Sequence, residues 1–329
     1  MKMKQIHKAL VLTGPGQCST ARVSGPVGEG PVLVAVEYSG INYKDALAVT
    51  GKAKIVRASF PFIPGIDLAG TVLESDLEDY KPGDRVALTG GGLGERHSGG
   101  YTQLQAVPSK YLLKIPKGMS TRTCMILGTA GLTAMLSIMV LEDHGVVNGE
   151  ILVTGASGGV GMISVKLLAD LGYTVIASCD STHLWHKLKG LGAARTINRI
   201  NADASRPLMH AQYDGVVDAA GGAALSAALP QVRLHGCVAA SGNAAGVKLN
   251  TTVFPFILRG ITLAGIDSNT ATVQDRLIAW ERLQQLISDQ VADQLLMATI
   301  SLEDIASVCS AKIGGKAPGR FLVSTAREM

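Results

Sequence analysis

A glycine-rich turn at residues 154–161 is the stretch whose residue types and spacing most clearly indicate chemistry. It reads TGASGGVG, and Ala156, Gly158 and Gly161 occupy the three small-residue positions of a dinucleotide-binding fingerprint. Small residues let the backbone approach a pyrophosphate and let the following helix direct its amides at the anion. An apolar strand precedes the turn and an apolar-periodic helix follows it, as the fingerprint requires. The residues predicted to bind the pyrophosphate are Ser157, Gly158, Gly159 and Val160.

The same letters also fit the TGxxxGxG turn of short-chain dehydrogenases. Those enzymes need a catalytic Tyr with a Lys four positions later, and none of the seven tyrosines has a Lys at that spacing. Their turn also lies at the start of the chain, whereas this one begins at residue 154. We therefore reject that alternative.

The sequence after the turn leaves the choice of dinucleotide open. Asp180 stands nineteen positions past Gly161, where a carboxylate usually binds the ribose 2′-hydroxyl of NAD and repels a 2′-phosphate. A helix N-cap ahead of STHLWHKL is an equally good interpretation of Asp180. Arg195 and Arg199 are basic residues available to hold a 2′-phosphate.

The elements that must position these residues divide the chain into two regions with different sequence patterns. Residues 1–124 contain short β-rich runs punctuated by Gly and Pro, and residues 125–267 alternate strands with helical patterns. This alternation predicts a doubly wound parallel sheet with its ligand at the carboxyl ends of the strands. Residues 268–329 include a helix and a last strand, GRFLVST, that we expect to return to the first domain. The predicted strands are 151–154, 174–178, 194–197, 214–218, 235–240 and 261–265.

Composition narrows the class of protein. The net charge of +4 is spread along the chain, which argues against a nucleic-acid partner. The five cysteines are widely separated and form no CxxC, as expected of a reduced cytoplasmic protein. We find no signal peptide and no uninterrupted apolar run of about 18 residues, so we expect no membrane span.

Several stretches together resemble one family. They include INYKDALA, PFIPGIDLAGTV, GERHSGGYTQ, ILGTAGLTAMLSI, VFPFILRGITLAGIDS and PGRFLV. With the glycine turn, they are similar to the medium-chain dehydrogenase/reductase superfamily, in its zinc-independent, quinone-oxidoreductase-like branch that includes bacterial acryloyl-CoA reductases. The resemblance implies a GroES-like catalytic domain, a Rossmann domain, NADP(H) as cofactor, a small-molecule substrate and a homodimer.

The residue types argue against a metal at the catalytic centre. Zinc members of the superfamily carry Cys, a His-Glu pair and a second Cys in the segments that match NYKD, GID and GTAG. This chain offers Tyr43 and Lys44, then Ile66 and Asp67, then Thr129. A structural zinc site would need four closely spaced thiolates. We therefore expect no zinc.

Three departures from the family pattern affect specificity. Asp180 and Ser181 replace a Gly-Arg pair whose Arg holds the 2′-phosphate in relatives, while Arg199 matches a second arginine near that phosphate. NADP(H) is therefore expected, with NAD(H) as the alternative. Gly91 and Ser98 replace bulky aromatics of the substrate cleft, which predicts a wider or reshaped pocket. Gly315 replaces an Asn that contacts the cofactor in relatives.

With neither metal ligands nor a charged triad in view, the expected reaction is direct hydride transfer to the β-carbon of a conjugated alkene. Orientation of both reactants supplies about 7–11 kcal/mol of such a barrier, and donors must stabilise the developing enolate. We predict Asn42 and Tyr43 as the catalytic pair. Tyr43 is expected to donate a hydrogen bond to the cofactor or substrate as a neutral donor at pH 7, or to relay the α-carbon proton. The alternative is that Tyr43 only packs against its surroundings.

The resemblance places further residues at the cofactor. Thr129 belongs to the segment expected near the nicotinamide, and Ser241, Gly242 and Asn243 follow the fifth predicted strand. The complete predicted set is Tyr43, Thr129, Ser157, Gly158, Gly159, Val160, Cys179, Asp180, Ser181, Arg199, Ser241, Gly242, Asn243, Ile266 and Ser268.

Three functions remain open on the sequence. The first is an NAD(P)H-dependent reductase of an α,β-unsaturated carbonyl compound or thioester, with an acryloyl-CoA-like substrate. The second is an NAD(P)H quinone oxidoreductase. The third is a nucleotide-binding sensor or structural protein without turnover. Turnover separates the third from the others, and CoA ester against free quinone separates the first two.

Overall fold

The computed structural model describes residues 6–201 and 206–325. The strands are β1 (Ile6–Gly14), β2 (Gln17–Ser24), β3 (Val32–Gly40), β4 (Asp67–Ser75), β5 (Arg85–Thr89), β6 (Leu104–Val107), β7 (Leu113–Lys114), β8 (Glu150–Thr154), β9 (Thr174–Ser178), β10 (Arg195–Ile197), β11 (Tyr213–Asp218), β12 (Val232–Ala240), β13 (Thr262–Gly265), β14 (Leu296–Ile300) and β15 (Arg320–Ser324). The α-helices are α1 (Tyr43–Thr50), α2 (Thr121–Asp143), α3 (Gly159–Asp170), α4 (Trp185–Gly190), α5 (Gly222–Ala228), α6 (Phe254–Arg259), α7 (Val273–Leu286), α8 (Asp289–Leu295) and α9 (Ile305–Ile313).

The chain divides into two units, Met1–Thr129 with Asn269–Met329, and Ala130–Ser268. The first unit holds a seven-stranded sheet in which β14, β15, β3, β4, β5 and β7 follow one another, while β6 pairs with β3. The alternation in β3 buries Val32, Val34 and Val36 on one face, as a half-buried strand requires. β15 pairs antiparallel with β3, so the last described strand returns to the sheet that β3 begins, while β1 and β2 pair in a separate two-stranded sheet.

The second unit holds a six-stranded parallel sheet in the order β10-β9-β8-β11-β12-β13. This order reverses between β8 and β11, which is the switch point of a doubly wound sheet and its usual ligand site. The doubly wound parallel sheet that the alternation of strands and helices predicts is therefore confirmed.

The predicted strands of this sheet agree with the observed ones to within one residue, except at the start of β12. β12 begins at Val232, where the prediction began at 235. The start of β12 is irregular, because His235 has a φ of 60° and the register of pairing with β11 shifts after Tyr213. Leu234 is exposed there, so the apolar pattern that identifies a buried strand starts only after it.

α2 is long and apolar enough to cross a membrane by length and composition, although the sequence was not expected to contain a membrane span. However, 83% of its most apolar window is buried inside the protein, and core helices of this kind pass the same test. Gly128, with φ 50° and ψ −148°, interrupts the helix. α2 is thus weak evidence for a membrane span.

Candidate functional site

The register of the parallel sheet aligns the carboxyl ends of its strands. Thr154 pairs with Ser178 and with Asp218, Ser178 pairs with Ile197, and Ala240 pairs with both Asp218 and Gly265. Residues that follow these six ends lie at one edge of the sheet. The structure therefore brings together the predicted cofactor residues of this unit: Ser157, Gly158, Gly159, Val160, Cys179, Asp180, Ser181, Arg199, Ser241, Gly242, Asn243, Ile266 and Ser268.

The glycine turn has the geometry that close backbone packing demands. A Cβ on Gly161 would lie 2.3 Å from the carbonyl oxygen of Gly155, so no larger residue fits there without a shift. Gly155 itself has a φ of 60°, a conformation that glycine adopts without strain. The first intrahelical bond of α3 runs from the Met162 amide to the Gly158 carbonyl. The amides of Gly159, Val160 and Gly161 therefore have no intrahelical acceptor, which suits an anion.

Asp218 organises the neighbouring loops and was not identified from the sequence. Its carboxylate accepts hydrogen bonds from the Thr154 hydroxyl and the Gly221 amide, and its carbonyl oxygen accepts from the amides of Ser241 and Gly242. Burial raises the pKa of this carboxyl, against the hydrogen bonds from Thr154 and Gly221 that lower it. Asp218 thus holds the glycine turn and the loop after β12 in a fixed relation.

Asp180 and Arg199 form an ion pair at this edge. The Nε of Arg199 lies 3.1 Å from Oδ2 of Asp180, and the Arg199 amide donates to Oδ1 at 3.0 Å. Both side chains are more than half exposed. The sequence presents these residues as competing signals for NAD and NADP, whereas the structure joins them into one group.

Four other predicted cofactor residues have defined contacts at or beside the same edge. Cys179 is buried, its amide donates to the Ile197 carbonyl, and burial raises the pKa of its thiol, as expected of a packing residue rather than a nucleophile. The Ser181 carbonyl accepts a hydrogen bond from the Leu184 amide. The Ile266 amide donates to Ala240, and Ser268 shares a hydrogen bond of 2.7 Å with Thr133.

In the first unit, Asn42 lies at the start of α1 among charged side chains. Its amide nitrogen donates to Asp67 at 2.7 Å and to Asp45 at 3.1 Å, while its Oδ1 accepts from Arg320 at 3.0 Å. Both donor hydrogens of the Asn42 amide are therefore engaged by carboxylates. This geometry supports a positioning role for Asn42, rather than the role of a donor to the developing enolate.

Asp67 is the centre of the same group. It accepts hydrogen bonds from the Thr129 amide at 3.0 Å and from the Thr129 hydroxyl at 2.5 Å. A Cβ on Gly128 would lie 2.5 Å from Oδ2 of Asp67, so the glycine in the bend of α2 makes room for this carboxylate. Thr129, predicted near the nicotinamide, is thus held by Asp67.

Arg320 and Asp45 complete this buried charged network. The Arg320 guanidinium donates to the carbonyl oxygens of Ile126, Met125 and Ile41 as well as to Asn42. Burial lowers its pKa, and Asp67 and Asp45 act in the opposite direction.

The carboxyl of Asp45 accepts hydrogen bonds from the amides of Asn42 and Ile66. Burial, followed by the nearby charge of Asp67, raises the pKa of Asp45 to about 7. This network was not predicted from the sequence, because its members come from segments far apart in the chain.

Tyr43 is partly exposed, as are Asn42 and Lys44 on either side of it. Among the residues that the structure describes, its hydroxyl makes no hydrogen bond, so it is available to a ligand. The adjacent Lys44 is engaged, since its ammonium lies 2.8 Å from the buried carboxylate of Glu95. Tyr43 is therefore the predicted catalytic residue whose geometry suits a donor.

The residues at the zinc-ligand positions do not form a metal site. Tyr, Lys, Ile and Thr replace the usual ligands, and Asp67 accepts hydrogen bonds from Asn42 and Thr129 on both of its carboxylate oxygens. Within residues 6–201 and 206–325, no group of three His, Cys, Asp or Glu side chains is placed to hold a metal ion. The donor set present does not fit zinc.

The departures at Gly91, Ser98 and Gly315 have different surroundings. A Cβ on Gly91 would lie 2.5 Å from the ring of Tyr111, so an aromatic ring from elsewhere in the unit occupies that space. Ser98 contributes its carbonyl oxygen to a hydrogen bond from Gln105. A Cβ on Gly315 would meet nothing within 4 Å. Loss of an aromatic at position 91 therefore reshapes this region rather than simply emptying it.

Two family models match the chain: the alcohol dehydrogenase GroES-like domain over residues 28–117 and zinc-binding dehydrogenase over residues 159–285. Acrylyl-CoA reductase AcuI of Ruegeria pomeroyi is 46% identical over 91% of this chain and 90% of that protein. The quinone oxidoreductase-like protein YhfP of Bacillus subtilis is 40% identical over 89% of each chain.

Solved structures agree with these relatives. The yhdH oxidoreductase of Salmonella enterica in complex with NADP has a TM-score of 0.91 and 41% identity, covering 97% of this chain and 99% of that one. The yhfP protein of Bacillus subtilis with NAD bound has a TM-score of 0.91 and 36% identity, with the same coverage.

A GroES-like unit and a doubly wound unit with a dinucleotide fingerprint together define an oxidoreductase of the two-domain type. The chain belongs to the medium-chain dehydrogenase/reductase superfamily, in the branch of acrylyl-CoA reductases and quinone-oxidoreductase-like proteins.

Proposed function

We propose that this chain is an NADP(H)-dependent reductase of the C=C bond of an α,β-unsaturated thioester, with acryloyl-CoA as the best single substrate and NAD(H) as an alternative cofactor. The similarity to acrylyl-CoA reductase AcuI over nine-tenths of both chains carries this proposal. The alternative, a quinone oxidoreductase, has the support of the similarity to YhfP. The family and its relatives favour turnover over a non-catalytic nucleotide-binding role.

The residues of the second unit fit a nicotinamide dinucleotide. The amides of Gly159, Val160 and Gly161 suit a pyrophosphate, and the lack of a side chain on Gly161 lets α3 pack closely on the glycine turn. Asp180 and Arg199 offer an acceptor and a cation for the ribose 2′ position. When bound, such a cofactor supplies the hydride for the β-carbon of the substrate.

The residues of the first unit then have distinct tasks. Tyr43 donates a hydrogen bond from its hydroxyl to the substrate oxygen on which negative charge develops, a type of interaction worth several kcal/mol in other enzymes. The α-carbon of the resulting enolate then takes a proton from water, directly or relayed through the Tyr43 hydroxyl. Asn42 is a positioning residue, because Asp67, Asp45 and Arg320 hold all its amide groups. Thr129 is fixed by Asp67 through both its amide and its hydroxyl.

A basic loop supports a CoA ester as the substrate. The sequence favours a solvated loop for Lys52, Lys54 and Arg57, with CoA phosphates as the alternative. All three are exposed, and in the described part of the chain none makes an ion pair. The Arg57 amide donates to Glu95, which places the loop beside the Lys44–Glu95 pair at the start of α1. Unpaired cations near Tyr43 are a surface that suits phosphates.

The test is the initial rate of NADPH oxidation at 340 nm with acryloyl-CoA, acryloyl-pantetheine, a simple enone and a quinone. We expect acryloyl-CoA to give the highest kcat/KM, and Tyr43→Phe to lower kcat by about tenfold or more. Lys52→Ala/Lys54→Ala should raise KM for acryloyl-CoA but not for acryloyl-pantetheine, which lacks the nucleotide phosphates. Preference for the quinone would favour the alternative, and binding without oxidation of any substrate would overturn the enzyme proposal.

A homodimer is part of the proposal. β13 pairs with β12 on one side, and among the described residues no strand pairs with its other side. Next to it, α6 and the residue before it expose a group of large apolar side chains: Val253, Phe254, Ile257 and Leu258. An unpaired edge beside exposed apolar residues indicates an interface. Light scattering that gives a monomer at micromolar concentration would contradict it.

We further propose that residues 1–124 and 268–329 form the catalytic domain and residues 125–267 the cofactor domain. The division of the structure at Thr129/Ala130 and Ser268/Asn269 supports this.

A cytoplasmic location is proposed because the five cysteines are free thiols, four of them buried. Labelling of the native cells with a membrane-impermeant thiol reagent should leave Cys18 unmodified.

A further inference from the structure

We infer that the Asp180–Arg199 ion pair is the element that sets cofactor preference in this chain, and that it admits both NADPH and NADH with similar affinity. This inference rests on the proposed function, since it concerns the same cofactor site. It differs from the usual rule, in which a carboxylate at the position of Asp180 selects NAD alone.

The geometry leaves both members of the pair able to bind a ligand. Arg199 uses its amide and its Nε on Asp180, and no described residue accepts a hydrogen bond from its two terminal Nη atoms. These two nitrogens present the planar fork that binds phosphate oxygens in a bidentate manner. Oδ1 of Asp180 accepts one hydrogen bond, from the Arg199 amide, and Oδ2 lies 3.1 Å from the Nε of Arg199, so lone pairs remain for a ribose hydroxyl.

The backbone holds the pair at the correct edge of the sheet. Ser178 and Ile197 are the paired last residues of β9 and β10, so Asp180 and Arg199 both follow those ends by two positions. The Ser178 hydroxyl donates to the Asn198 carbonyl, and the Ile200 amide donates to that hydroxyl, on either side of Arg199. The two side chains are therefore held together by their strands as well as by their charges.

The charges explain why neither dinucleotide is rejected. Asp180 alone would repel a 2′-phosphate, and Arg199 alone would attract it. The two Coulomb energies are similar in size, because both charges lie at the same exposed site. Together they leave little net charge at the ribose 2′ position. The phosphate of NADPH then gains the Arg199 fork, and NADH gains the Asp180 acceptor.

The experiment measures Kd for NADPH and NADH by the fluorescence of Trp185, whose indole donates to the Cys179 carbonyl next to the pair. The fragments 2′,5′-ADP and 5′-AMP provide a second measurement that requires no turnover. For the native chain we expect Kd values for the two dinucleotides within about tenfold of each other.

The variants shift this ratio in opposite directions. We expect Asp180→Asn to favour NADPH by about tenfold, because it leaves a net positive charge, and Arg199→Gln to favour NADH by about tenfold. The double variant should return close to the native ratio. The ratio of the two Kd values for the native chain should also change little with added salt. The ratios for the two single variants should move toward the native ratio, because salt screens their unbalanced charge.

Arg195→Gln is the matched control. Arg195, which the sequence also offered for the 2′-phosphate, lies on β10 as well, but it forms a partly exposed ion pair with Glu150 at the amino ends of the strands, opposite the edge that holds Asp180 and Arg199. It should leave the ratio unchanged. The inference is overturned if either single variant leaves the ratio unchanged, or if the double variant does not restore it. Failure of every variant and of the native chain to bind either dinucleotide would instead overturn the proposed function.

Discussion

The two units use charge in opposite ways. In the first, Asp45, Asp67 and Arg320 are buried, and backbone or amide groups satisfy each of them. In the second, Asp180 and Arg199 pair at the surface with more than half of each side chain exposed. A buried charge without its partner is costly, whereas an exposed pair contributes little to stability. The first arrangement therefore suits rigid positioning of Asn42 and Thr129, and the second suits exchange of partners with a ligand.

The two tryptophans allow this comparison to be measured unit by unit. Trp280 is buried in the first unit, and Trp185 lies on α4 in the second. In a Trp185→Phe background, fluorescence reports on the first unit, and in a Trp280→Phe background it reports on the second. Urea unfolding followed by tryptophan fluorescence then gives the free energy of unfolding of each unit separately. A substitution in the buried network of the first unit, or in the Asp180–Arg199 pair of the second, can therefore be measured in its own unit.

The largest effect is expected for Arg320→Met, which removes the buried cation at similar volume. Asp67 and Asp45 would then share a buried site without it, and the carbonyl oxygens of Ile126 and Met125 would lose a donor. We expect the free energy of unfolding of the first unit to fall by about 3–5 kcal/mol. A loss below about 1 kcal/mol would contradict the view that this guanidinium holds the network together.

Gly128→Ala should be the next most disruptive change. The residue has a φ of 50°, and an added Cβ would lie 2.5 Å from Oδ2 of Asp67. Backbone strain and the clash together should cost about 2–3 kcal/mol in the Trp280 transition. Gly83→Ala is the control, because Gly83 has a φ of 92° with nothing within 4 Å of an added Cβ. An equal loss of unfolding free energy in the two variants would show that the added Cβ at position 128 does not clash with Asp67.

The pattern of correct and missed predictions follows the same division. The strands of the parallel sheet and the glycine turn could be predicted because each is a local pattern of apolar runs and small residues. The network around Asp67 could not, since Arg320 lies in an ordinary strand near the end of the chain and Asp45 fits a helix cap. Asp180 and Arg199 were both identified, but only the register of β9 and β10 shows that they pair.

Asp45→Asn tests the network through pH. The pKa of Asp45 is raised from 3.8 to about 7 in the folded state, so between these values the folded state binds more protons than the unfolded one. The free energy of unfolding therefore falls as pH rises through this window, by at most about 1.4 kcal/mol per pH unit for one group. Asp45→Asn should remove this contribution from the Trp280 transition.

A control of opposite sign exists in the same unit. Hydrogen bonds from Ser301 lower the pKa of Asp304, so its contribution to stability is present above the unfolded pKa and is lost as pH falls. Asp304→Asn should leave the slope between pH 5 and 7 as it is in the native chain. If Asp45→Asn also leaves that slope unchanged, Asp45 does not titrate in this window.

The smallest effect on stability is expected for Arg199→Gln in the second unit. Its partner Asp180 has 58% of its side chain exposed, so water replaces the lost ion pair and the change in the Trp185 transition should stay within about 0.5 kcal/mol. The same substitution is expected to shift cofactor preference by about tenfold. A loss of stability near that of Arg320→Met would mean that the pair supports the fold. A shift in preference without such a loss would separate a charge that serves binding from one that serves structure.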